Sequence, residues 1–106
     1  MTALIALTTV GSAEDARRIA SDLVDLRLAA CVNIIESVRS IYRWQGRVTD
    51  EEELLLIIKT MEERVSELRE RLMEIHPYEV PEFVVVRVDE IGAAYGKWLE
   101  ESTLPH

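Results

Sequence analysis

Apolar and polar positions follow two rhythms along this chain, and the switches between them mark its elements. Residues 2–10 are nearly all apolar or threonine, which predicts a strand buried on both faces. Ser12 then reads as an N-cap, with Glu14 and Asp15 suited to the positive end of a helix. Ala16, Ile19, Ala20, Leu23 and Leu26 recur at helical spacing and predict an amphipathic helix over 13–28. From residue 30 the chain turns to β-type residues. Val32, Ile34, Val38, Tyr42 and Trp44 keep even positions mostly apolar, so residues 30–45 read as one long strand, with or without a bulge near Glu36-Ser37. Gln45-Gly46-Arg47 is the predicted turn. Residues 51–60 return as a strand whose buried part is Leu54 to Ile58. Thr60 and Glu63 read as a capping box. Met61, Val65, Leu68, Leu72 and Ile75 then follow at 4-3-4-3 spacing, a helical stripe that Pro77 stops. Phe83 to Val88 predicts a fourth strand, and Ile91, Tyr95, Trp98 and Leu99 a short closing helix.

The predicted order is β-α-β-β-α-β plus a helix, an α+β chain of the ferredoxin-like type. Right-handed crossovers place both long helices on one face of a four-stranded sheet. Strands apolar on both faces need a cover on the other side, and a second subunit is the simplest one. The long hairpin points the same way. A strand over 30–45 exceeds the usual length of about 5–6 residues, so its partner and the sheet should end well before Trp44. The overhanging ribbon would leave an unpaired edge carrying Ile41, Tyr42 and Trp44. A homo-oligomer with hairpins crossing to neighbours is expected. No repeat or linker interrupts the chain, so residues 1–106 form one predicted domain.

Charge narrows the partners. Twelve Lys and Arg against twenty Asp and Glu give a net charge of −8. That argues against tracking nucleic-acid phosphates or docking on an anionic membrane. No apolar run approaches the roughly 18 residues of a membrane span, and the apolar start lacks a basic flank. The lone Cys31 excludes an intrachain disulfide and suits a reducing compartment. A soluble cytoplasmic protein is expected. No glycine-rich phosphate loop, serine elbow, zinc signature or RNA-binding aromatic motif is present, and no enzymatic activity is expected.

The chemistry-bearing residues each carry two readings. Cys31 suits a soft Cu(I) ligand or a reactive thiol on one reading, and a small buried hydrophobe on the other. His76-Pro77-Tyr78-Glu79-Val80-Pro81-Glu82 sets an imidazole, a phenol and two carboxylates on a loop stiffened by two prolines. Such a loop could bind a metal or a small polar ligand. Equally, His76 could cap a helix as a cation while the prolines shape a turn. Lys59 could meet an anionic ligand or mark a solvated strand end. Asp50-Glu51-Glu52-Glu53 lacks the spacing of a calcium loop and reads as a solvated hairpin start. Tyr42 and Trp44 could stack on a ligand or anchor an interface. His106 is a terminal residue.

Four segments carry a resemblance. They are Leu28-Ala29-Ala30-Cys31-Val32-Asn33-Ile34, then Ser40-Ile41-Tyr42-Arg43-Trp44-Gln45-Gly46, then Glu53 with Leu56 and Lys59-Thr60, then His76 to Glu82. Together, in this order and across almost the whole chain, they resemble the divalent-cation tolerance protein CutA family. The resemblance implies a ferredoxin-like subunit in a tight homotrimer, similar in architecture to the PII signalling proteins. It implies a role in tolerance to copper and other divalent metals, with no obligatory cofactor. It carries Cys31 onto the family's recurrent cysteine. It carries His76, Tyr78 and Glu82 onto a loop lining a cleft between subunits, with Lys59 and Trp44 nearby. The expected metal donors are then His76, Cys31, Glu79 and Glu82, and the expected ligand cleft holds Trp44, Lys59 and Tyr78. Imidazole suits Cu(II) and Zn(II), and thiolate suits Cu(I). The chain departs from some members at Thr8, where they carry a cysteine, at Ile75, where they carry the first of two histidines, and at Arg71, which can be cysteine. A three-cysteine soft-metal site is therefore absent. The alternative reading is a PII-like sensor or scaffold with a small ligand in the intersubunit cleft.

Overall fold

The computed structural model describes residues 2–105, and the reading of His106 lies outside them. The chain runs β1 (Ala3–Val10), α1 (Ala13–Asp25), β2 (Cys31–Trp44), β3 (Arg47–Met61), α2 (Val65–Ile75), β4 (Val84–Arg87) and α3 (Ala93–Ser102). A short 3-10 turn, Glu62–Arg64, precedes α2. The four strands form one sheet in the order β2-β3-β1-β4, with every neighbouring pair antiparallel. This is the split βαβ arrangement that the pattern predicts. Among the described residues no helix is long and apolar enough to cross a membrane.

The core lies between the helices and one sheet face. Ala6 and Val10 of β1 and Leu54, Leu56 and Ile58 of β3 meet Ile19 and Leu23 of α1 and Leu68 and Leu72 of α2. Because side chains alternate across a strand, Ile5, Leu7, Leu55 and Ile57 point to the opposite face. That face is only partly covered. Val84 and Val86 on β4 are about half exposed, at 48% and 47%. α3 shields one corner, where Leu99 packs with Ala3, Ala30 and Met61.

Several predicted boundaries change, each for a local reason. α1 ends at Asp25 rather than 28, because Arg27 takes a left-handed conformation with φ 60°. Its N–H donates to the Val24 carbonyl and the Leu28 N–H to the Leu23 carbonyl, a Schellman closure without glycine. The Thr60–Glu63 capping box does not form. Thr60 ends inside β3, fully buried, and its Oγ1 donates to the Leu28 carbonyl at 2.8 Å. Met61 likewise belongs to β3 and not to the α2 stripe. β4 is shorter than the predicted 83–88.

The hairpin is longer than expected. β3 starts at Arg47 rather than 51, so it pairs with β2 all the way to Trp44 at the tip. What stops early is β1, whose last pair is Val10 with Leu54. Val38–Trp44 and Arg47–Glu53 therefore project as a two-stranded ribbon, which sets the longest dimension of the molecule, 44 Å. β2 is an edge strand along its whole length. A bulge interrupts the pairing between Ile35 and Val38, and Ser37 within it has φ 60°. At the tip Gln45 and Gly46 have φ 50° and 78°, as a tight hairpin turn requires.

Candidate functional site

Pro77 disfavours helical backbone at the residue before it, so α2 stops and His76 adopts an extended conformation, φ −75° and ψ 133°. The His76 ring turns under the end of β1. Its Nε2 lies 2.9 Å from the Thr9 carbonyl, and its Nδ1 accepts the Tyr78 N–H at 3.1 Å. An acceptor at Nδ1 and a carbonyl at Nε2 assign the neutral tautomer with the proton on Nε2. Burial pushes the imidazole pKa below its ordinary value, against a smaller upward pull from the Thr9 carbonyl. The reading of His76 as a cation on the helix dipole is therefore corrected. It is a buried, neutral tie between a loop and a strand.

Tyr78 continues from this tie. Its ring meets the His76 ring edge-on, with centroids 4.8 Å apart. Its hydroxyl donates to Glu53 Oε2 at 2.5 Å. Burial first, and the Glu53 carboxylate second, push the phenol pKa well up, so Tyr78 keeps its proton and acts as a donor. Glu53 is only 4% exposed, which corrects its reading as part of a solvated acidic run. Its neighbours Glu51 and Glu52 are exposed, as predicted. On the same ribbon face, loss of solvation and a hydrogen bond to Glu51 raise the Tyr42 phenol.

The remaining candidates lie apart from this cluster. Cys31 opens β2 opposite Lys59, on the partly covered sheet face. It is neither buried nor fully exposed, and its Sγ lies 3.7 Å from Asn33 Oδ1. Lys59 Nζ sits 5.7 Å from the centroid of the Tyr95 ring, a cation–π contact. Trp44 stands at the ribbon tip, 41% exposed. Its partner Arg47 and Lys59 are separated by most of β3, roughly 40 Å at about 3.3 Å per residue. One chain therefore does not bring Trp44, Lys59 and Tyr78 into a common cleft. Glu79 and Glu82 are exposed on the loop. Among the described residues no group of three or more His, Cys, Asp and Glu side chains is placed to hold a metal ion. The set His76, Cys31, Glu79 and Glu82 does not fit a metal within one chain, and both ring nitrogens of His76 are already engaged.

The family model described as CutA1 divalent ion tolerance protein matches residues 4–102. The chain belongs to this family. It is 50% identical over 99 residues to the divalent-cation tolerance protein CutA of Thermus thermophilus, covering 93% of this chain and 96% of the relative. The CutA of Pyrococcus horikoshii is 39% identical over 100 residues, covering 94% and 97%. Among solved structures, a divalent cation tolerance protein from Thermus thermophilus superposes with a TM-score of 0.92 at 48% identity, over 95% of this chain and 98% of that one. These names describe cation tolerance rather than a reaction.

Within this family fold, the residue that sequence reasoning misplaced is Glu53. A signal was present. Glu53 is in phase with Leu55 and Ile57 on β3, so it shares their face rather than the face of the exposed Glu52. The backbone acceptor at Thr9 carries no sequence signal at all.

The His76 tie predicts a pH dependence. The ordinary pKa is 6.5 and the folded value lies below it, so the unfolded chain binds the extra proton first. Stability from this group is complete above 6.5 and falls as pH drops through 6.5 toward the folded value. Denaturant midpoints measured between about pH 7 and about pH 5 should fall more steeply for the parent than for His76→Gln. Parallel curves would show that the imidazole is not held neutral.

Proposed function

We propose that the protein is a cytoplasmic homotrimer that acts in divalent-cation tolerance by taking up copper or zinc as cargo, with donors contributed by more than one copy. The observation that carries this reading is the half-covered sheet face. Ile5, Leu7, Ile57, Val84 and Val86 form an apolar surface that helices leave open, and Cys31 lies on the same face. Copies meeting on this face would cover it and bring their Cys31 and Lys59 rows toward the seam. Exposed Glu79 and Glu82 supply oxygen donors without breaking any contact of the fold, whereas His76 joins only by giving up Thr9 or Tyr78. Family membership supplies the link to divalent cations. The lone cysteine supports the reducing compartment.

A second reading is a PII-like sensor or scaffold whose intersubunit cleft, lined by Trp44, Lys59 and Tyr78, takes a small ligand. The engaged ring nitrogens of His76 favour it. Native mass spectrometry, with and without one equivalent of Cu(II) or Zn(II) per subunit, separates the two. The first reading expects a trimer with discrete metal adducts, which weaken when Cys31→Ser is combined with Glu79→Gln and Glu82→Gln. A trimer that takes up no specific adduct overturns cation uptake and leaves the ligand cleft. A monomer overturns both.

A further inference from the structure

We propose that the Tyr78–Glu53 contact is a latch that holds the β2–β3 ribbon at its root and couples it to the loop between α2 and β4. β1 stops pairing at Leu54, so Glu53 is the first β3 residue beyond the body of the sheet. On the opposite strand, Glu36 and Ser37 together face the single Leu54 between the pairs Ile35–Leu55 and Val38–Glu53, one residue more than the ladder needs. A bulge breaks the ladder and bends the strand, and a two-stranded ribbon beyond it has little stiffness of its own. The weakest point of the ribbon and the loss of its third strand therefore coincide at Glu53.

The tyrosine hydroxyl reaches Glu53 at this level from outside both ribbon strands. The loop that carries it is itself pinned to β1 through His76 and Thr9. The two ties run in series from β1 through His76 and Tyr78 to β3. The hydroxyl also lies beside Gly11, where a Cβ would stand 3.4 Å from it, in ordinary contact. Outward from Glu53 on the same face come Glu51 and Tyr42, and then Trp44. The latch thus sets where the aromatic residues of the ribbon stand relative to the sheet. A change at the 77–82 loop is transmitted to the ribbon tip.

Hydrogen exchange on the intact purified protein tests this. In Tyr78→Phe the ring is kept and the donor removed. Amides of Val38–Trp44 and Arg47–Glu53 should exchange about ten- to a hundredfold faster, the factor expected for losing one hydrogen bond to a carboxylate. Amides of α1 should keep parental rates. Glu53→Gln retains an oxygen that accepts from Tyr78, and its ribbon should exchange within about threefold of the parent. Three outcomes overturn the latch. In one, only the loop accelerates in Tyr78→Phe. In another, acceleration extends equally to α1. In the third, Glu53→Gln loosens the ribbon as much as Tyr78→Phe.

Discussion

Ile57→Glu is expected to convert the proposed trimer into monomers. Ile57 pairs with Leu7 on one side and Asn33 on the other, at the centre of the half-covered sheet face. Its side chain points away from the core formed by Leu56 and Ile58, so the substitution leaves the helix-facing packing intact. If copies of the chain meet on this face, each would bury a carboxylate without a partner. Effective penalties of several kcal/mol per buried ion are typical, and a closed trimer would incur three. Light scattering coupled to size exclusion should show the loss directly. The unfolding midpoint should fall and lose the dependence on protein concentration expected of the assembled parent, because burial between copies and folding are linked. Met73→Glu, on the exposed side of α2, is the matched control and should stay assembled. An Ile57→Glu protein that remains trimeric would place the interface elsewhere and remove the support for the proposed assembly.

The same substitution should have opposite signs at two threonines. Thr8 and Thr60 are both fully buried and lie on the helix-facing side of the sheet, on adjacent strands. Thr60 Oγ1 donates to the Leu28 carbonyl, which fastens the turn after α1 to β3. Among the described residues Thr8 Oγ1 has no hydrogen-bond partner. Valine keeps the shape and removes the hydroxyl. At Thr60 it should cost about 1–3 kcal/mol, since a carbonyl loses its buried donor. At Thr8 it should stabilise by about 1–2 kcal/mol, since an unpaired hydroxyl is replaced by a methyl group. Urea unfolding of both variants measures the difference. Destabilisation of similar size at both sites would mean that Thr8 is satisfied after all.

The sequence made the architecture legible because the core signals were periodic. The α1 and α2 stripes put Ile19, Leu23, Leu68 and Leu72 into the core as predicted, and the strand order followed from the element order. The bulge near Glu36-Ser37 was left open by the sequence, because even positions stay mostly apolar through it, and only the pairing register places it. Boundaries failed where a tertiary contact overrode a local motif. Thr60 and Glu63 have capping-box spacing, yet β3 continues through Thr60 because β1 supplies a partner up to Met61. Arg27 ended α1 although no glycine announced it. The site was legible as a loop and not as a geometry. The two prolines marked 76–82 as fixed, but the partners of His76 and Tyr78 are a backbone carbonyl and a carboxylate far away in sequence. The proposed metal donors belong to one family pattern, and the fold sends Cys31 to the start of β2 beside Lys59 and His76 to the end of α2 against Thr9.

The position of β1 has a consequence for how the chain is made. β1 is one of the two inner strands, and its partners are residues 54–61 and 84–87. None of its ladder bonds can form before Leu54 has been synthesised, and the second side waits for Val84. The hairpin next to it needs only residues from 31 to 61, all contiguous. Non-local pairing carries a loop-closure cost that a hairpin avoids. Of these four strands, the one synthesised earliest thus waits longest for its partners, and the ribbon is the template on which it closes.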